Sequence, residues 1–330
     1  MSYDLYFLVG PDREPLTRDV FDAYFSGRRD YTMEGDRAFY GSEDTGAHFW
    51  FDWTETADED AEVDDAGLED EAPDDELGPA GASFEMNYNR PFWFADEAEP
   101  EVRAFVEAMG LYVEDPQSDG MGRGPYSADG FRNGWLAGNR FALRVLRSQG
   151  APEPPLLPGE TVRHVHAWNI SIRDLQASLG EAVYAPRVMF LLEDGTPRTF
   201  ITWGWDIATA IPDVDRAIIG APPRGLIDRI RRRLDLRVID TTMVPATERV
   251  EGWIGGTYRL SPQVSEEQVR ELSDGPKAQA RPLVVQNYEV FERESYGEAV
   301  AGVNVGGSIG LTVDEFLAKA NEGRTGDASD

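Results

Sequence analysis

The chain has 330 residues, 61 acidic against 31 basic side chains, a net charge of −30 and no cysteine. That length holds two domains of ordinary size, and the 41% hydrophobic content excludes wholesale disorder. The missing cysteines exclude disulfides, thiolate metal sites and a cysteine nucleophile, and the charge disfavours nucleic acid and anionic membranes as partners.

Tyr3 to Val9 (YDLYFLV) reads as an opening strand broken at Gly10-Pro11, with Thr17 capping a helix to about Ser26. Strands follow near Arg37–Tyr40 and Ala47–Trp53, joined by the turn sequence GSEDTG. In AHFWFDW, alternation places Phe49, Phe51 and Trp53 on one face and His48, Trp50 and Asp52 on the other. Between Glu55 and Glu76 come thirteen carboxylates and no basic residue, read as an acidic loop at the tip of an antiparallel pair. Without them the chain still carries −17, so the acidity is general.

Phe84, Met86 and Tyr88 mark the return strand. A helix from about Glu97 to Met109 and a strand at Leu111–Val113 complete the unit. The order β-α-β-β-loop-β-α-β predicts a ferredoxin-like domain with an acidic insertion at residues 55–76. Ser127 caps a further helix, Ala128 to Arg147, ending this domain at residue 148. The proline-rich stretch 149–159 is the expected linker.

A second mixed α+β domain is expected over residues 160–322, with a disordered tail at 323–330. RHVHAWNISI, Arg163 to Ile172, is compatible with a strand or with the start of a helix to Leu179. Arg187–Glu193 and Arg198–Trp203 predict a hairpin around Asp194-Gly195. Trp168, Trp203 and Trp205 are expected in the core. Residues Gly225 to Leu236 predict a helix bearing Arg229, Arg231, Arg232 and Arg233. Val238–Val244, Trp253–Leu260 and Leu283–Phe291 predict strands, the last central. Ser265 with Gln268 predicts a capping box, and Thr312 a final cap.

Three functional readings follow. The first is a non-enzymatic module whose carboxylates, among them Asp64, Asp65, Glu69 and Asp70, engage a basic protein partner, as an immunity protein or a DNA mimic does. The second is an assembly protein, a homo-oligomer in which the arginine helix docks on a neighbour's carboxylates. The third is a metal-assisted enzyme. If Arg163–Ile172 is a strand, His164 and His166 share a face and reach one ion, with His48 or a carboxylate as third ligand. No P-loop, dinucleotide fingerprint or G-x-S-x-G elbow occurs, so no catalytic residue or organic cofactor is assigned. No run of residues is apolar enough to cross a bilayer and no basic signal segment opens the chain, so the cytoplasm is the expected location. The opening YDLYFLV and the segment RAFYGSEDTGAHFWFDW resemble a group of uncharacterised bacterial proteins, some in toxin–immunity neighbourhoods. The resemblance covers about the first fifty-three residues and implies a non-enzymatic protein.

Overall fold

A computed structural model describes residues 1–55, 77–117, 119–221, 235–273 and 283–303. Within them the chain is mixed α+β, with six α-helices and sheets of seven, five, four and two strands.

The first half is organised by alternation. Strands β1 (Ser2–Val9), β2 (Tyr31–Glu34), β3 (Arg37–Gly41), β4 (His48–Trp53), β5 (Gly78–Asn87), β6 (Tyr112–Glu114) and β7 (Arg123–Gly124) form one antiparallel sheet ordered β2-β3-β4-β5-β1-β6-β7. The two strands flanking the acidic run, β4 and β5, are antiparallel neighbours. Every second side chain, including Tyr3, Leu5, Phe7, Phe49, Phe51, Phe84 and Met86, is buried on one face. Helices α1 (Arg18–Phe25), α2 (Phe94–Met109) and α3 (Ala128–Ser148) bring Phe21, Phe25, Phe105 and Phe131 onto that face.

Local signals set the helix ends. The hydroxyls of Thr17 and Ser127 accept from Val20 N and Gly130 N, and Gly110 closes α2 in the left-handed region at φ 59°. α2 begins at Phe94, nearly a turn before the expected Glu97. Strand β2 had no place in the expected order.

In the second half, β10 (Val188–Glu193) and β11 (Thr196–Trp203) form the expected hairpin, with Asp194 and Gly195 at φ 50° and 78°. They join β13 (Arg216–Ala221), β14 (Asp235–Asp240) and β17 (Leu283–Val285) in the order β14-β13-β11-β10-β17. A four-stranded sheet holds β15 (Glu248–Trp253), β16 (Gly256–Ser261), β12 (Ala208–Ile211) and β9 (Val183–Tyr184). Helix α5 (Glu266–Ser273) opens on the expected reciprocal bonds between Ser265 and Gln268.

Of the two readings of RHVHAWNISI, the helix to Leu179 holds: the segment lies inside α4 (Gly159–Leu179), because Val162, Val165, Trp168, Ile172 and Leu175 recur at helical spacing and are all buried. Other expectations are corrected. Trp253–Leu260 is not one strand but a hairpin turning at Ile254-Gly255. Leu283–Phe291 is not a central strand. Only β17 pairs at the edge of the five-stranded sheet, Asn287–Glu289 is a 3-10 turn, and β18 (Phe291–Glu292) pairs with β8 (Leu156–Leu157). Asp235 and Leu236, expected at the end of the arginine helix, belong to β14. The Thr312 cap and residues 323–330 lie outside the described residues.

Apolar burial runs as one cluster from Tyr3 to Val290, across residues 149–159. Helix α4 stands at the junction of the two halves. Its Arg173 pairs with Asp30 at 3.0 Å and with Asp44 at 2.5 Å, and its His166 meets Glu97 of α2 at 3.1 Å. Helix α6 (Arg293–Val300) packs against α3.

Candidate functional site: an acidic and aromatic sheet face

The side of the seven-stranded sheet turned away from α1–α3 carries the other half of each alternating strand, and the register arranges those side chains in rows. One row reads Phe39, Trp50, Glu85, Asp4 across β3, β4, β5 and β1. The next reads Glu34, Arg37, Asp52, Ser83, Tyr6, Glu114 across β2 to β6. These positions are partly or fully exposed, with Tyr6 at 51% and the neighbouring Tyr112 at 38%. Aromatic rings and carboxylates therefore alternate across a partly exposed face.

The only cation within the first five strands of this face is already committed. Arg37 makes a bidentate pair with Asp52, at 2.7 and 2.9 Å, and lies 4.7 Å over the Trp50 ring. Glu85 accepts only the Trp50 indole N–H, at 3.0 Å, and Asp4 the Ser2 hydroxyl at 3.2 Å. Asp4 and Glu85 stand directly opposite each other, and neither forms an ion pair among the described residues. Like charges at that spacing oppose folding. Burial first, and the Glu85 charge after it, hold the Asp4 carboxyl above the usual carboxylate range.

The sign of the pH effect follows. A folded-state pKa above the unfolded one means the folded protein holds the proton more tightly, so stability falls as pH rises through that window and the loss persists at neutral pH. Asp4→Asn is therefore expected to raise stability at pH 7 by roughly 0.5 kcal/mol, small because the site is partly solvated, and to give no gain at pH 3. Thermal melts of both proteins at the two pH values measure this.

The residues singled out from sequence are dispersed. His164 and His166, two apart on α4, point to different sides, since that spacing shares a face only in a strand. The His166 ring stacks on Trp93 at 4.5 Å and bonds Glu97, while His164 packs edge-on against Trp253 at 5.2 Å. His48 is engaged by Arg90. Among the described residues no three His, Asp or Glu are gathered to hold a metal ion. Arg229, Arg231, Arg232 and Arg233, with Asp64, Asp65, Glu69 and Asp70, lie outside the described residues. Asp4, Glu85 and Trp50 were missed; alternation sets the faces of Trp50 and Glu85, but only the register puts the three side by side.

Fold and face together define an α+β protein with one open, acidic and aromatic sheet surface. No helix among the described residues is long and apolar enough to cross a membrane. No protein-family model, curated protein or solved structure matches the chain.

Proposed function

We propose that the chain is a non-enzymatic protein-binding module whose open sheet face receives a basic protein surface. The carboxylate pair Asp4–Glu85, which forms no ion pair among the described residues and is flanked by Tyr6 and Trp50, carries this reading. An arginine from a partner would relieve the repulsion between the two carboxylates and stack on the adjacent rings. The chain's −30 charge would steer such a partner toward it. An immunity-type or DNA-mimic-type role fits this chemistry, and the cytoplasm is the compartment we infer for it. The connectivity of β4-β5-β1-β6 with α1 and α2 supports a ferredoxin-like unit in this half, extended at its edges by β2–β3 and β7.

The test compares the wild-type chain with the Asp4→Lys/Glu85→Lys double variant as baits at low and high salt. A basic protein is expected to be captured by the wild type at low salt, released at high salt, and lost with the double variant. Capture of the same proteins by both baits, or of no basic protein by either, refutes the proposal.

A further inference from the structure

Arg90, in the turn between β5 and α2, is a half-buried cation that makes no direct ion pair among the described residues, the Glu289 charge acting on it only from a distance. Its Nε and Nη2 approach His48 Nε2 at 3.1 and 3.0 Å, and its Nη1 donates to the Asn89 carbonyl at 2.7 Å. His48 Nδ1 lies 3.1 Å from the Gly46 carbonyl, which places the ring proton there and leaves Nε2 as the acceptor for Arg90. Burial and the Arg90 charge hold His48 below its ordinary pKa, in keeping with a neutral ring. The guanidinium also lies 5.3 Å over the Tyr288 ring. Asn139, fully buried on α3, fixes the backbone by donating to the carbonyls of Tyr88 and Arg90.

All these partners are neutral. Among the described residues no carboxylate reaches ion-pair distance of Arg90, although the chain has 61 acidic side chains. Glu289, whose charge favours the Arg90 cation against the cost of burial, accepts the Gln286 N–H at 2.8 Å and stays outside ion-pair distance of the guanidinium. Charges withdrawn from water are normally paired. Arg90 lines a groove of about 450 Å³ between the end of α3, the stretch Ala151–Pro155 and the segment from Tyr288 to Tyr296. Leu143, Leu146 and Phe291 supply apolar lining, Pro154 and Pro155 a stiff wall, and Arg147 a second positive charge; Glu153 and Glu289 are exposed acids of the lining.

We propose that this groove binds a small amphipathic carboxylate. The carboxylate would take the donors of Arg90 not used by His48 and Asn89, and the apolar body would lie on Leu143, Leu146 and Phe291. The stretch 149–159 would then be a wall of a binding site as well as a connection.

Calorimetric titration of the full chain with decanoate, the uncharged decanol and acetate tests this. Decanoate is expected to saturate a single site, decanol to bind at least about tenfold more weakly, and acetate to give no signal, about 1.4 kcal/mol marking each tenfold step. Arg90→Gln should weaken decanoate at least tenfold and leave decanol unchanged. Leu146→Glu, which leaves every Arg90 contact in place, should abolish decanoate binding with little change in melting temperature. That second variant decides the matter if Arg90→Gln fails to fold. Equal affinity for decanoate and decanol, no saturable decanoate site, or decanoate binding unaffected by Leu146→Glu overturns the proposal.

Discussion

Phe51→Ala is expected to lower the unfolding free energy by about 3–5 kcal/mol, the cost of removing a buried aromatic ring and leaving its cavity partly unfilled. Phe51 is fully buried at the middle of β4. Its ring lies 4.9 Å from Phe25 of α1, 5.2 Å from Phe84 of β5, 5.2 Å from Phe105 of α2 and 6.1 Å from Phe7 of β1. Those neighbours are themselves buried rings held by other elements, so collapse into the space is limited. Against a typical total of about 5–15 kcal/mol, the loss is a large share. Phe51→Leu, which keeps most of the volume, should cost about 1.5 kcal/mol or less. Urea titrations followed by far-UV circular dichroism and by tryptophan fluorescence measure both. Because buried apolar contact is continuous from Tyr3 to Val290, the two signals should shift together. A residual transition that Phe51→Ala leaves unshifted would show the halves unfolding separately, and a change under 1 kcal/mol (~1) would contradict the packing argument.

The elements legible in the sequence were those whose signal is local. The alternation in AHFWFDW and SFEMNY fixed which residues face the core, and Phe49, Phe51, Phe84 and Met86 are indeed fully buried. Caps at Thr17, Ser127 and Ser265 and the Asp194-Gly195 turn needed only a few neighbouring residues. The segments left open or misread were those in which tertiary packing outweighs local preference. RHVHAWNISI, with its β-branched and aromatic residues, was compatible with strand or helix, and its burial follows the helical period set by Val162 and Leu175 on either side. The hairpin in Trp253–Leu260 turns through Ile254 at φ 36°, a conformation that the residue type disfavours and so does not announce.

The site was less legible than the fold, and for one reason: adjacency across a sheet depends on register. Asp4 and Glu85 read from sequence as two ordinary surface acids on distant strands. They become a candidate site because β1 inserts between β5 and β6 and places them opposite each other. Arg90 likewise looks unremarkable until Asn139 and His48 are seen to hold it at a groove. The histidine pair shows the converse. Its apparent meaning came from an assumed local period, and the helix sends the two rings to different neighbours.

Glu97→Ala is the second substitution with a large expected cost, about 3–5 kcal/mol, because a buried charge-bearing hub leaves its partners unsatisfied. Glu97 is 7% exposed at the start of α2. One oxygen accepts from the Tyr40 hydroxyl and the Thr45 hydroxyl, each at 2.9 Å, and the other meets His166 Nε2 at 3.1 Å. Burial and then the Glu97 charge push the Tyr40 hydroxyl far above its ordinary pKa, so it remains a donor across the accessible pH range. Removing the carboxylate strands two hydroxyls and one ring nitrogen in a largely buried site, where an unmade bond costs about 1–3 kcal/mol each before relaxation or water entry. Glu97→Gln keeps an acceptor for the hydroxyls and should cost roughly half as much. The double-mutant cycle with His166→Ala separates the bond across the two halves from the rest, and a coupling of about 1 kcal/mol or more is expected. A coupling near zero would mean that His166 is held by its stacking on Trp93 alone, and that Glu97 braces only the β3–β4 turn through Tyr40 and Thr45.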